Sequence, residues 1–352
     1  MNKGGVKMKA LKFFLATLLL LFLAACNSSS NGSEGSASVN DGDVYTLKVA
    51  HSSAATDDRL ENSLQEFKKS IEEKSNGRIK VETYPNSQLG AERETLEGVQ
   101  NGSIEMAVIS TGPFSGFSKS MMVLDLPYLF KNGDEAFEVL DGEFGDQLYE
   151  QLLQDTGMRG LAWGENGVRH MANNIKEIVT PEDLSGLKIR TQENQAHMDM
   201  ISAFGGNPTP IAFNELYSSL QQGVIDGYEN PFSLIVGMKF YEVTKFMTLT
   251  NHVYGVYAFV INEDAYQALP EDLQQILNEE AQTWAETERQ MNQDQEAEGR
   301  KVVEEHGVTI TELTDDQFNE FRDLANPVVQ EYRDVVGADI FDLLMEKLEA
   351  YQ

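Results

Sequence analysis

Strand-like and helix-like stretches alternate from Tyr45 to about Tyr254, and this alternation constrains the fold more than any other feature. It is typical of α/β proteins, in which helices cover a largely parallel sheet. One series of segments runs to Ser110 and a second series follows it, which predicts two lobes. The predicted strands are 45–50, 79–84, 105–110, 158–163, 188–191, 209–211 and 225–228, and the predicted helices are 59–75, 91–100, 195–204 and 214–221.

The last third of the chain has a different pattern, which predicts long helices. Pro270 suits the first position of a helix, and residues 271–305 contain no proline. The apolar residues of this stretch recur at helical spacing and predict a packing face, formed by Leu273, Ile276, Leu277, Ala281 and Trp284. A short strand is predicted at 308–310, followed by a helix over 315–348 with a break near Pro327.

The first 25 residues have the pattern of a targeting signal. Four lysines precede the apolar run 13–23, which is too short for a membrane-spanning helix of ~20 residues but suits a signal peptide. The run ends in Leu23-Ala-Ala-Cys26, which resembles the lipobox of bacterial lipoproteins. That resemblance implies cleavage of a signal peptide, 1–25, and acylation of Cys26, as by palmitate.

Cys26 is the only cysteine of the chain, which excludes internal disulfides and cysteine-cluster metal sites. Residues 27–43 are rich in serine, glycine and asparagine, so segment 26–43 is predicted to be a lipidated cysteine followed by a flexible tether.

The chain is strongly acidic, with 27 basic and 57 acidic residues and a net charge of −30. The predicted signal peptide holds four of the lysines and no acid, so the remainder has 23 against 57, or −34. A surface with this charge repels nucleic acid, which excludes nucleic acid as a partner.

No motif of the sequence predicts catalysis. The histidines are scattered and lack the spacing of metal ligands, so no metal and no cofactor is predicted. Neither a Gly-x-Ser-x-Gly elbow nor a Walker-type loop is present. Carboxylates are too frequent for any pair of them to indicate an acid–base site. These observations favour a binding protein and not an enzyme.

Arginines are the most informative charged residues because cations are scarce in the second series. Arg190 ends a predicted strand, Arg169 follows Asn166-Gly-Val168, and residues 191–238 contain neither lysine nor arginine. Ligands of open α/β sheets bind beyond the carboxyl ends of the strands, where a guanidinium can hold a carboxylate by two hydrogen bonds. The alternative is an arginine held in a surface ion pair, and the residues alone leave both open.

Several motifs occur in order along the chain. They are Tyr84-Pro-Asn-Ser-Gln-Leu-Gly90 with Arg93-Glu94, Asp125-Leu-Pro-Tyr-Leu-Phe130, Pro181-Glu-Asp-Leu-Ser-Gly-Leu-Lys-Ile-Arg190, Pro208-Thr-Pro210 with Glu215-Leu-Tyr217, Leu220-Gln-Gln-Gly223, Asp226-Gly-Tyr-Glu-Asn-Pro231 and Phe240-Tyr-Glu-Val243. Together they resemble the solute-binding proteins of tripartite ATP-independent periplasmic (TRAP) transporters, and the resemblance extends from Tyr45 to Asn262.

The resemblance implies a two-lobed α/β fold of the periplasmic-binding-protein type, with crossing hinge strands and a long C-terminal helix across both lobes. Residues 44–166 and 256–295 are expected to form lobe I, and residues 167–255 and 296–352 lobe II. The expected partners are a small organic acid and the small and large subunits of a TRAP membrane permease.

The resemblance also implies the ligand-binding residues. Arg190 matches the family's principal carboxylate-binding arginine, Arg169 matches a second arginine, and Asn230 commonly completes the carboxylate site. Further candidates follow from position alone: His51 and Ser110 end strands, Glu94 and Glu193 can accept bonds from sugar hydroxyls, and Phe213 can contact an apolar ligand face. For the two glutamates the alternative is a solvated charge, and for Phe213 it is core packing.

The stretch from Arg190 to Asn194 with His197 resembles the branch of the family that binds hexuronates. Glucuronate or galacturonate is therefore the expected ligand, with a C4-dicarboxylate as the alternative. Two rival functions are an extracellular sugar-acid hydrolase or lyase and the binding subunit of an ATP-driven importer. The lipobox suggests a lipid-anchored protein on the extracytoplasmic face of the membrane of a Gram-positive cell.

Overall fold

The computed structural model describes residues 42–351, so Cys26 and the predicted signal peptide lie outside the described residues. The strands are β1 (Tyr45–Ala50), β2 (Ile79–Tyr84), β3 (Met106–Ser110), β4 (Met158–Asn173), β5 (Lys188–Thr191), β6 (Asn207–Pro210), β7 (Gly227–Asn230), β8 (Phe246–Asn262) and β9 (Thr309–Glu312). The helices are α1 (Arg59–Lys74), α2 (Glu92–Gln100), α3 (Gly133–Leu140), α4 (Glu143–Thr156), α5 (Gln195–Ala203), α6 (Leu216–Gln221), α7 (Phe232–Gly237), α8 (Glu263–Gln267), α9 (Glu271–Glu305), α10 (Asp315–Glu331), α11 (Arg333–Val336) and α12 (Ala338–Tyr351).

All nine strands of the described residues belong to one mixed sheet. Its order is β2-β1-β3-β8-β4-β7-β5-β6, and β9 pairs separately with β8. Neighbouring strands β1, β2 and β3 are parallel at one end of this order, as are β5, β6 and β7 at the other. The predicted α/β class is confirmed.

Two long antiparallel strands, β4 and β8, connect the two ends of the sheet. β8 pairs with β3 through its last residues and with β9 through its first. β4 pairs with β8 along its length and with β7 through its last four residues. The register between β4 and β8 shifts at three places, including Glu165/Gly167 and Arg169/Met171. This arrangement provides the crossing strands that the family resemblance implies.

Local signals explain why the main helices begin and end where they do. The Asp58 carboxylate accepts hydrogen bonds from the first turn of α1, and a Thr314–Gln317 capping box begins α10. The 35-residue helix α9 begins after Pro270 and packs against α1, β4 and α7. Its predicted apolar stripe is largely buried, with Leu273, Leu277, Ala281 and Trp284 in the core.

Two expectations for the C-terminal region differ from the structure. Helix α10 continues through Pro327 to Glu331, because Phe321, Ala325 and Val328 are buried and packing outweighs the one missing hydrogen bond. Helix α12 was assigned to lobe II, but it packs against α3 and α4, which the same division assigns to lobe I. The lobe boundaries stay a prediction.

Candidate functional site

Three adjacent strands bring the predicted carboxylate-binding residues together. β7 lies between β4 and β5, which carry Arg169 and Arg190. Asn230 ends β7 opposite His170 of β4, and Arg190 lies opposite Tyr228 of β7. The site is therefore at the carboxyl ends of β5 and β7, as expected for an open α/β sheet.

Arg169 is held by an internal ion pair. Its guanidinium, only 2% exposed, donates to the Glu229 carboxylate through both Nε and Nη2. Nη2 also donates to the Glu229 carbonyl oxygen at 2.7 Å and to Asn230 Oδ1 at 2.9 Å. Burial would raise the pKa of Glu229, but Arg169 outweighs it and holds this pKa well below its usual value. Arg169 thus fixes the orientation of Asn230.

Arg190 is equally buried but has no direct carboxylate partner among the described residues. It is 1% exposed, its Nε donates to the Ile211 carbonyl at 2.8 Å, and its guanidinium lies 5.9 Å from the centre of the Phe213 ring. No described residue accepts a hydrogen bond from Nη1. Burial lowers the pKa of Arg190 to about 10 despite nearby carboxylates. A cation in this situation favours an incoming anion.

Asn230 presents a second buried donor at this site. Its Oδ1 accepts from Arg169, which leaves the Nδ2 group directed elsewhere, and no acceptor for Nδ2 occurs within residues 42–351. A carboxylate accepts several hydrogen bonds, so Arg190 Nη1 and Asn230 Nδ2 are both donors of the kind that a ligand carboxylate satisfies.

Glu92 contributes a buried carboxylate on the side of the first strands. Its Oε1 accepts a hydrogen bond from Ser52 Oγ at 3.0 Å. Burial raises the pKa of Glu92, and attraction to Arg190 and Arg169 partly offsets this effect. The neighbouring His51 is buried and its Nε2 lies 2.8 Å from Glu61 Oε2. This side of the site therefore offers acceptors and hydroxyl groups.

Asp125 and His197 form a further buried group beside the arginines. Asp125 accepts hydrogen bonds from Thr111 Oγ1 at 2.7 Å and Asn194 Nδ2 at 2.8 Å. Burial raises the pKa of Asp125 to about 7. His197 is buried with its Nε2 3.8 Å from Asp125 Oδ1, and burial lowers its pKa to about 3, so its ring is neutral at pH 7.

The other predicted residues divide into buried and exposed ones. Ser110 is buried and accepts a hydrogen bond from Gln192 Nε2 at 2.6 Å, and Phe213 is buried below Arg190. Glu94 and Glu193 are exposed. Cys26 lies outside the described residues.

The contacts that Glu92, Glu229 and Gln192 make at the site were not indicated by the sequence. The Asp-Gly-x-Glu-Asn motif contained Glu229, but nothing in the sequence indicated that it pairs with Arg169. Among the described residues, no group of three or more histidine, cysteine or acidic side chains has the arrangement of a metal site. None of the helices described has the length and apolar character needed to cross a membrane.

Comparison with known proteins identifies similar sequences. The model of bacterial extracellular solute-binding protein family 7, DctP, matches residues 49–334. A solute-binding protein of Verminephrobacter eiseniae is 39% identical over 272 residues, which are 77% of this chain and 78% of that protein. The 2,3-diketo-L-gulonate-binding protein YiaO of Escherichia coli is 32% identical over 84% of this chain and 91% of its own length. The C4-dicarboxylate-binding protein DctB of Bacillus subtilis is 33% identical over 78% and 79%.

Solved structures show the same fold. The sugar acid binding protein of Advenella mimigardefordensis in complex with galactonate has a TM-score of 0.85 and 28% identity, covering 88% of this chain and 99% of that one. A TRAP periplasmic solute-binding protein of Roseobacter denitrificans with bound β-D-glucuronate has a TM-score of 0.81 and 28% identity, covering 85% and 98%.

Proposed function

Because this chain belongs to the bacterial extracellular solute-binding proteins of family 7, we propose that it captures a sugar acid and delivers it to a TRAP membrane permease. The observation that carries the proposed ligand class is the pair of buried donors, Arg190 Nη1 and Asn230 Nδ2. A ligand carboxylate accepts from both and compensates the buried charge of Arg190. Arg169 acts indirectly, since it holds Asn230 in place.

Glu92 favours a ligand with hydroxyl groups over a second carboxylate. A dicarboxylate needs another cation or several further donors, but Arg169 is already paired with Glu229. The buried Glu92 carboxylate would repel a second anionic group and can instead accept bonds from hydroxyls. Ser110, His51 and Ser52 add polar groups nearby. These side chains favour a hexuronate such as glucuronate or galacturonate as the ligand.

The names of similar proteins also favour sugar acids as the ligand class, and they leave C4-dicarboxylates as the alternative. Galactonate and β-D-glucuronate are bound by the two structural neighbours described above, and YiaO is named for a keto sugar acid. DctB is named for C4-dicarboxylates, so succinate or malate is the second candidate class.

A ligand panel tests the proposal. Thermal unfolding of the protein is measured with glucuronate, galacturonate, galactonate, succinate and malate, and each hit is quantified by calorimetry. A ligand that binds only the folded state stabilises it by about 2.7 kcal/mol at a concentration 100 times its Kd. We expect sugar acids to raise the unfolding temperature and dicarboxylates to act far more weakly. Tight binding of succinate or malate without binding of sugar acids would reverse the ranking.

We further propose that acylated Cys26 holds the protein on the extracytoplasmic face of the membrane. The lipobox-like Leu23-Ala-Ala-Cys26 and the polar tether after it support this location. An anchored protein stays near its permease in a cell without an outer membrane, which is why we favour a Gram-positive host.

A further inference from the structure

Two segments that follow different strands make direct contact across the site. Residues 110–125 follow β3, and residues 192–194 follow β5. Gln192 Nε2 donates to Ser110 Oγ at 2.6 Å, and Ser115 Oγ donates to the Glu193 carbonyl at 3.1 Å. Asn194 Nδ2 donates to Asp125 Oδ2 at 2.8 Å and to the Gly112 carbonyl at 3.2 Å. We call this set of hydrogen bonds the interlobe contact.

The interlobe contact brings together parts of the fold that the sheet keeps apart. Three strands, β8, β4 and β7, separate β3 from β5. At a spacing of about 4.8 Å per strand, β3 and β5 would be about 19 Å apart in a flat sheet. The first segment belongs to the range assigned to lobe I and the second to lobe II. The interlobe contact therefore exists only when the two lobes are closed on each other.

Gly112 shows how close this approach is. A Cβ atom at this position would lie 2.4 Å from Gln192 Oε1 and 3.2 Å from Gln192 Cβ. The first distance would require the Gln192 side chain to move away, and the second a shift of a few tenths of an ångström, so the two segments approach closely at this glycine.

We propose that the buried pair Asp125 and Asn194 holds the binding cleft closed around the ligand. This inference rests on the proposed function and adds the residues that control closure. Asn194 lies four residues after Arg190, so the carboxylate anchor and one member of the closing pair belong to one short segment. A ligand that orders Arg190 therefore also positions Asn194 for its bond to Asp125, and the closed form gains population.

Asn194 permits a nearly isosteric test of the pair. Its Oδ1 caps α5 by accepting from the Ala196 and His197 amides, whereas its Nδ2 makes the interlobe bonds. Asn194→Asp keeps the cap but places a second carboxylate against Asp125. Adding Asp125→Asn to the same chain restores one donor and one acceptor to the pair. The amide is then at position 125 and the carboxylate at position 194. If the pair holds the cleft closed, the population of the closed form should fall in Asn194→Asp and recover in the double variant.

Closure is measured by disulfide cross-linking in the full chain, which requires no ligand. Gly112→Cys and Gln192→Cys are combined with Cys26→Ser, and the Cβ separation of 3.2 Å allows a bridge after a small adjustment. The rate of bridge formation under oxidised glutathione reports how often the lobes close. We expect Asn194→Asp to slow it at least about tenfold, or 1.4 kcal/mol, and the double variant to restore most of it. Circular dichroism melts and thiol alkylation rates control for unfolding.

A second measurement uses the native Gly112 and Gln192 with glucuronate as the probe. Asn194→Asp is expected to raise the Kd by about tenfold or more, mainly through faster dissociation, and the double variant to recover. Unchanged cross-linking rates in folded Asn194→Asp, or no recovery in the double variant, would overturn the closing role. If the wild type binds no sugar acid while the cross-linking rates change as expected, the closing pair stands and the proposed ligand class fails.

Discussion

Arg190 and Arg169 are both buried, but their charges are compensated in different ways. Arg169 has its counter-ion within the fold, since Glu229 binds it through two nitrogens. Arg190 has only a backbone carbonyl and the face of Phe213, and burial lowers its pKa to about 10. The first residue therefore serves the folded state, and the second is available to a ligand.

Replacing Arg190 tests this distinction. Loss of one side of a buried charged pair costs roughly 2–5 kcal/mol of binding, so Arg190→Ala is expected to weaken glucuronate binding about 30-fold or more. Arg190→Lys is also expected to bind poorly, because an ammonium group lacks the planar fork. Since burial of Arg190 is unfavourable without a ligand, the ligand-free unfolding temperature should stay close to that of wild type. Calorimetry and circular dichroism measure the two effects.

Arg169→Ala is the matched comparison for Arg190→Ala, because it also removes a buried arginine. It leaves the Glu229 carboxylate buried without its partner, which costs about 3–5 kcal/mol of folding stability. Its unfolding temperature is thus expected to fall even without ligand. Near-native affinity in folded Arg190→Ala would show that Arg190 is not the anchor and would transfer the carboxylate role to Arg169.

Glu92 and Glu94 show what the sequence could and could not indicate at the residue level. Glu94 was a candidate acceptor for sugar hydroxyls with a solvated charge as the alternative; it is exposed, and Glu92 is the buried one. Residues two positions apart on an α-helix point about 200° apart around its axis, so Glu92 faces inward and Glu94 faces solvent. Without the position of α2 on the sheet, the sequence could not tell which glutamate faces inward. Arg190 was predictable because it lies near the end of a short strand and no cation follows it until Lys239, whereas Arg169 lies inside β4 and was indicated by the family resemblance.

At the level of elements, the short strands and the helices α1, α2, α5, α6, α9 and α10 were predicted, whereas α3, α4, α7, α8 and the long strands were not. Capping residues and glycines mark the ends of α1, α2 and α9, and their predicted bounds lie close to the observed ones. β4 was predicted to end at Trp163, but it continues through Gly164, Asn166 and Gly167. β8 was not predicted at all. Both depend on their pairing with each other, and such tertiary pairing outweighs local propensity.

Helix α9 carries a half-buried acid, Glu296, against this long-strand region. Glu296 Oε1 accepts a hydrogen bond from the Ser233 amide at 2.6 Å, at the start of α7. In β4, Gly167 has a φ of +109°, and a Cβ there would lie 3.1 Å from the same oxygen. The acid is thus packed between α7 and the crossing strand.

Burial of Glu296 predicts a pH dependence of stability. Its pKa is raised from 4.5 to about 7, so between these values the folded state binds more protons than the unfolded state. Stability therefore falls as pH rises through this range, by up to about 1.4 kcal/mol per pH unit for one group. Glu296→Gln keeps an acceptor for Ser233 and removes the titration, so its unfolding temperature should vary less between about pH 5 and 7.

The exposed Glu298 provides the control for this measurement. Glu298→Gln removes one charge from the same helix and should leave the slope of unfolding temperature against pH unchanged. The pKa of Asp125 is also raised, to about 7, so its titration likewise lowers stability as pH rises. Some slope of unfolding temperature against pH should therefore remain in Glu296→Gln. Equal slopes in wild type and Glu296→Gln would show that the pKa of Glu296 is not raised in the folded state.

For the whole molecule, the resemblance to TRAP solute-binding proteins is confirmed, and with it the two-lobed α/β fold. Many motifs in the same order along the chain made this recognisable from the sequence. The ligand was less predictable, since proteins of this fold bind galactonate, glucuronate and succinate. We propose that ligand choice depends on a few buried side chains such as Glu92.

The net charge of the whole molecule bears on how it stays at a membrane. With −30 over the full chain, and −34 without residues 1–25, the protein is repelled by an anionic lipid surface. Each buried methylene of an acyl chain contributes about 0.8 kcal/mol to membrane binding, and stable anchoring needs more than one chain or signal. The proposed acyl anchor at Cys26 would therefore have to overcome this repulsion by itself or with a binding partner.

Replacing the cysteine tests the anchor. Cys26→Ser removes the site of acylation, so we expect either an uncleaved precursor or a protein released into the medium, and no incorporation of labelled palmitate. Ser29→Ala, in the same polar tether, is the matched control and should remain acylated and membrane-bound. Cell fractionation with intact mass measurement distinguishes these forms. A cleaved, mature Cys26→Ser protein that still fractionates with the membrane would contradict lipid anchoring, because the acidic chain would then be held there by another contact.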